Sequence, residues 1–228
     1  MDQAVLCADV SQQRKQTYSI GRYYAYWPSL VHDFQDIHKN KALPLMTERV
    51  RALRNQVAKL DAEVREKGEL FLGNCTKLGN IIERQDSQSP AGARYEFSGL
   101  ESLQFLITYV MLLVIFNRLL HNLDALSGRP EEPLDHEHRA LCRQLWMCIP
   151  YVRALGGMTS ILFAAPLYLS YEGAVRQPER EYLLDCIIEI AEKRGRYPKD
   201  RKTVEMFVLN TARSMAGQRP FATVFTSE

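Results

Sequence analysis

Hydrophobic residues dominate one window of the chain. From Phe105 to Phe116, twelve consecutive residues carry no charge, and only Thr108 and Tyr109 bring hydroxyl groups. A helix that is apolar on every side has to be surrounded by protein, so Gln104 to Asp124 is predicted to be the central helix of an all-α domain. The apolar run measures roughly 18 Å at 1.5 Å per residue and falls short of the about 20 residues of a bilayer crossing, so no membrane span is expected. Ser98 and Glu101 have the S-x-x-E spacing of a capping box at the start of this helix, and Ser127, Gly128 and Pro130 follow its end.

The flanking patterns are also helical. In "YYAYWPSLVHDFQDIHKNK", Leu30, Val31, Phe34 and Ile37 recur at helical spacing after Pro28. From Thr47, a candidate N-cap, Val50, Leu53, Val57, Leu60 and Val64 alternate by three and four, continuing loosely through Phe71, Leu78 and Ile81. Such heptads suit a coiled-coil contact and a homodimer. Gly68, Gly73 and Gly79 each cost a helix about 1 kcal/mol and predict a kink or break, with the chain folding back as a hairpin. Arg84 to Phe97, rich in Ser, Gly and Pro, is predicted as a flexible linker, and no period-two strand is evident.

Beyond the central helix, Leu141, Leu145, Cys148, Val152 and Leu155 share one face of a helix that Pro150 should kink and Gly156 and Gly157 should end. Thr159 to Val175 is a second, nearly all-apolar helix interrupted by Pro166, and a natural partner for the central one. Helices from Pro178 to Gly195 and from Asp200 or Lys202 to Gly217 complete the set, before a tail expected to be irregular. The expected architecture is an irregular bundle around the central apolar helix with proline-kinked neighbours. N-terminal helices occupy 1–84, a linker 85–97 and a helical core 98–228, together one compact domain.

Composition narrows the function. With 228 residues, 46% of them hydrophobic, and a formal net charge of +2, the chain can bury a sizeable core and lacks the basic excess of a nucleic-acid binder. The opening "MDQAVLCADVSQQRKQ" lacks the apolar segment of a secretory signal, so an intracellular location, cytoplasmic or nuclear, is expected. Cys7, Cys75, Cys142, Cys148 and Cys186 are odd in number and widely spaced, which fits neither a disulfide framework nor a zinc site. Cys142, Cys148 and Cys186 fall within apolar helical patterns, where a thiol acts as a small hydrophobe.

Candidate chemistry is sparse. Asn117, His121 and Asp124, spaced i, i+4, i+7, face one way at the end of the central helix. His121 would act as acid or base there, oriented by Asp124 or Asn117; the same pattern also describes a helix end emerging into solvent. His136 and His138 point in different directions on a helix and make a poor metal pair. No H-E-x-x-H, paired aspartates, G-x-G-x-x-G, Walker loop or G-x-S-x-G occurs, so neither metal nor cofactor is expected. The basic run "EKRGRYPKDRK" fits a phosphate or import patch, or simply a helix end. Tyr109, Trp146, Tyr168 and Tyr171 lie on or beside the apolar helices and are candidate ligand-binding residues, with plain core filling as the alternative.

"LCRQLWMCIPYVRALGG", "ILFAAPLYLSYEGA" and "REYLLDCIIEIAEKRG", with the preceding "FLITYVMLLVIFNRLLHNLDAL", resemble the C-terminal regulatory domain of fungal zinc-cluster transcription factors over roughly Phe97 to Gly217. The resemblance implies an all-helical domain of a kind that senses small molecules. The six-cysteine cluster and adjacent basic residues of those regulators are absent from this sequence, so no direct DNA binding is expected. Two readings follow. In the first, a cofactor-independent cyclase or isomerase of fungal specialised metabolism folds a hydrophobic metabolite against Tyr109, Trp146 and Tyr168, with His121 or a tyrosine polarising a carbonyl. In the second, a non-catalytic regulator binds a metabolite, or a partner protein through the heptad face.

Overall fold

A computed structural model of the chain describes residues 14–39, 43–128, 132–156, 163–193, 195 and 200–219, with 43–45 as backbone alone. Residues 14–21 form α1 and lead through a 3-10 turn, Arg22–Tyr26, into α2, Trp27–Lys39. A long α3, Leu43–Lys77, precedes β1, Ile81–Gln85, and β2, Ala93–Phe97. The second half contributes α4, Leu100–Leu126; α5, Glu132–Met147; α6, Ile149–Leu155; α7, Ala164–Ser170, with a 3-10 turn at Tyr171–Gly173; α8, Gln177–Lys193; and α9, Arg201–Met215. The start of the predicted Thr159 helix, Cys7, Pro130, Gly157, the tail from 220 and most of the basic run before Asp200 lie outside the described residues.

The apolar window organises this arrangement. Phe105, Val110, Phe116 and Leu123, on different sides of α4, are all fully buried. α3 covers one side, α5 and α7 cover others, and a single hydrophobic cluster runs from Ile20 to Val208. The expected all-α character holds. By length and hydropathy α4 is able to cross a bilayer, so the length argument against a span was too strict; 78% of its most apolar window is buried inside the protein instead.

The heptad residues Val50, Leu53, Val57, Leu60 and Val64 are all buried within the chain, which removes the basis for a homodimer through them. Nor does α3 break at its glycines. It runs unbroken for 35 residues and ends where Gly79 takes a φ of 71°. Gly68 is kept for space: a Cβ there would lie 2.1 Å from Cε2 of Tyr109, so the glycine lets α3 lie directly against α4.

The predicted linker is a β-hairpin, with Ile81 opposite Phe97 and Gln85 opposite Ala93. Ile81, Ala93 and Phe97 face the core, while Arg84, Arg94 and Glu96 pair on the outer side. Asp86 accepts the Gln88 amide to start the turn, and Arg143 of α5 donates to the Ala91 carbonyl at 2.8 Å, holding the loop down. The capping box does not form. α4 starts at Leu100 after an N-cap at Gly99; Ser98 donates to the Asn80 side chain at 3.0 Å, and Glu101 pairs with Arg14 at 2.9 Å.

Pro150 interrupts rather than kinks its helix. α5 stops at Met147 and Pro150 sits in the first turn of α6, where its missing N–H has no partner to lose, and Leu155 at the far end is exposed. Pro166 likewise lies in the first turn of α7. α7 packs on α5 and α9 as well as on α4. The start of α9 matches the expectation, since Asp200 accepts the Thr203 N–H at 2.8 Å.

Candidate functional site

The polar residues at the end of α4 fasten other elements to it. Asn117 donates to the Leu134 carbonyl at 3.1 Å and to Glu137 at 3.0 Å, and Glu137 in turn meets Arg65 of α3 at 2.9 Å. His121 Nε2 lies 3.1 Å from Asp135 of α5, which also accepts Arg118 at 2.9 Å. Burial pushes the Asp135 carboxyl up, but the Arg118 bond and the nearby His121 outweigh this and hold it below the usual range. Asp124, 7% exposed, accepts Arg54 of α3 through Nε at 2.6 Å and Nη2 at 3.2 Å. Asn122 donates to the Ala216 carbonyl beyond α9 at 3.2 Å. Asn117, His121 and Asp124 do share a side, as their spacing predicts, but they engage α5 and α3. Asp135 of α5, which spacing along α4 could not suggest, is a partner of His121.

The four aromatic candidates are dispersed. Tyr109 is buried against Gly68 and stacks on Phe105, and burial pushes its hydroxyl up to about 12. Trp146, 1% exposed, lies under Gly173 with its indole Nε1 buried and without a hydrogen-bond partner. Tyr168 meets Phe207 edge-on at 5.8 Å. Tyr171 donates to Glu205 of α9 at 2.9 Å and lines two adjoining surface clefts.

His136 is exposed, whereas His138 turns into the core with Nε2 3.5 Å from Cys142 Sγ. Burial lowers the His138 pKa to about 3 and raises the Cys142 thiol, so both are neutral and neither is primed for nucleophilic chemistry. Cys148 and Cys186 are buried and form no disulfide, as expected of cysteines within apolar helical patterns, and Cys75 is buried as well.

Three clefts among the described residues are large enough for a small molecule. An apolar cleft of about 300 Å³ lies between α1, the first turns of α4, and α6; Leu103, Ile107, Val152 and Phe163 form its walls, with Gln104 and Thr108 as polar groups. A second, of about 310 Å³, is basic: Arg118 of α4, Arg180 of α8 and Arg213 of α9 surround Glu172, beside Tyr171 and Gln218. Burial raises the Glu172 carboxyl pKa, while Arg118 and Arg213 oppose the rise. A third, of about 610 Å³, shares Tyr171 and Arg180 with the second and balances Arg180, Arg201 and Lys202 against Glu181, Asp185 and Glu205. Sequence spacing missed the basic cleft because its residues come from four separate elements; Tyr171 alone carried a signal, as an aromatic beside an apolar helix.

The fold and these clefts define a mostly α-helical protein with one hydrophobic core and, among the described residues, small-molecule-sized recesses at its surface. No family model, curated protein or solved structure matches the chain.

Proposed function

We propose that the protein binds a small hydrophobic molecule in the apolar cleft between α1, α4 and α6, and holds it without chemical change. The observation that supports this reading is the lining, in which leucine, isoleucine, valine and phenylalanine side chains border an open cleft of about 300 Å³ beside only a few polar groups. That volume is at the small end of the range for ligand pockets, roughly 300–1,000 Å³, and is too small for a partner helix about 10 Å across. The residues nominated for acid–base work face α3 and α5 in ion pairs instead. Titration with the neutral dye Nile red tests the reading. Saturable fluorescence gain, lost in Ile107→Arg with the helical circular dichroism intact, is expected; equal uptake by that variant overturns it.

A second reading, a cofactor-independent cyclase or isomerase, draws on Gln104, whose amide in an otherwise greasy wall is suited to polarising a carbonyl. Its signature is a product of unchanged mass and altered retention from a hydrophobic extract, abolished in Gln104→Leu although the dye still binds.

A further inference from the structure

The basic cleft at the other end of α4 has no place in the binding of a hydrophobic guest. Thr108 and Arg118 are ten residues apart, about 15 Å along the helix, so the two clefts are separate places on the molecule. We propose that the basic cleft is a binding site for a phosphomonoester or a similarly sized dianion.

Charge comes first. Arg118, Arg180 and Arg213 against Glu172 leave the lining at +2, and guanidinium groups do not lose their protons in proteins. The larger neighbouring cleft sets three cations against three carboxylates and has no such excess. A phosphomonoester carries about −1.5 to −2 at neutral pH and matches the surplus.

Hydrogen-bonding capacity agrees with charge. The Arg118 side chain is 11% exposed, and its Nη2 is taken by Asp135 at 2.9 Å, but its Nε is buried with no hydrogen-bond partner. That nitrogen is shielded from the cleft, so Arg118 contributes its positive charge there rather than a bond from Nε. Arg180 is anchored through Nε to the Ala174 carbonyl at 2.9 Å, which fixes the head group while leaving its terminal nitrogens at the cleft. Guanidinium forks match the tetrahedral oxygens of phosphate better than a point charge does. The Tyr171 hydroxyl donates its hydrogen bond to Glu205, so the residue contributes its ring as wall. With about 310 Å³ available, the cleft holds a phosphate together with a modest organic portion, which Leu209 would face.

Gly173 shapes the site from below. A Cβ there would fall 2.7 Å from both Cβ and Sγ of Cys142, so only glycine lets the Tyr171–Gly173 turn settle onto α5 and bring Glu172 beside the arginines.

Isothermal titration of the full chain with phenyl phosphate and with inorganic phosphate, at constant ionic strength, tests the site. Saturable binding of one equivalent is expected, weakened about tenfold or more in Arg180→Gln and in Arg213→Gln, since each removes a guanidinium able to make a charge-assisted bond to the anion. It should be unchanged in Arg139→Gln, an exposed arginine on α5 outside the cleft. Arg180 is itself exposed, so its variant should fold even if the Arg213 one does not. Heats no larger than those of sodium chloride, or binding untouched by Arg180→Gln, would overturn the assignment. Ile107→Arg, which blocks the apolar cleft, should leave phosphate binding as it was.

Discussion

Tyr109 lies so close to Gly68 that the two helices bearing them touch where one has no side chain. Alanine normally stabilises a helix interior by about 1 kcal/mol over glycine. At position 68 the added methyl meets a buried ring, and overpacking of this kind costs about 1–3 kcal/mol. Gly68→Ala should therefore destabilise the protein, whereas the same change made in a Tyr109→Ala background should stabilise it. Urea unfolding of the four proteins of this cycle reads the reversal of sign.

The Arg54–Asp124 pair joins α3 to the end of α4. Removing one partner of a buried pair costs about 3–5 kcal/mol, and the 31% exposure of Arg54 reduces the expectation for Arg54→Ala to about 2 kcal/mol. His121→Ala gives up a contact to the more exposed Asp135 and should cost about 0–1 kcal/mol. Chemical denaturation measures both. Nile red uptake by His121→Ala should equal that of the wild type; a loss of uptake there would return His121 to the binding site.

His138 makes stability depend on pH. In the folded protein it stays neutral down to a pKa of about 3, mainly because burial disfavours its charged form, with Arg118 adding to the effect and Asp135 opposing it. In the unfolded chain it takes up a proton near pH 6.5. Its contribution is thus complete above that pH and is lost as the pH falls from there toward the folded value. Lowering the pH from about 7.5 to about 5.5 should remove about 1 kcal/mol, or about 2–4 °C in Tm for a domain of this size. His138→Leu should show a correspondingly flatter melting profile over the same interval.

Burial of Val57 against the rest of its own chain gives a different expectation from a dimer contact. Val57→Asp should abolish cooperative unfolding rather than dissociate an oligomer. Sedimentation of the wild type at several concentrations should show no association that depends on α3.

The central helix was legible because nothing in Phe105 to Phe116 tolerates water on any side. The caps of α8 and α9 were legible because Gly195 and Asp200 act within a few residues of themselves. The hairpin was not: its strands turn only Ile81, Ala93 and Phe97 inward, and its loop is held down by Arg143, 52 positions past Ala91. The glycines of α3 misled for a similar reason, since the ring that requires Gly68 belongs to another helix. Helical spacing correctly grouped Asn117, His121 and Asp124, yet spacing carries no information about the partners Glu137, Asp135 and Arg54 that decide their roles.

The enclosure of α4 also bears on how the chain is made. α3 emerges from the ribosome ahead of it, but α5 and α7, which close over its remaining sides, follow. Until Ser170 has been synthesised, a greasy cylinder long enough to enter a bilayer stands half naked in the cell. Chains cut off near Gly128 should therefore clump or recruit chaperones instead of persisting as stable fragments.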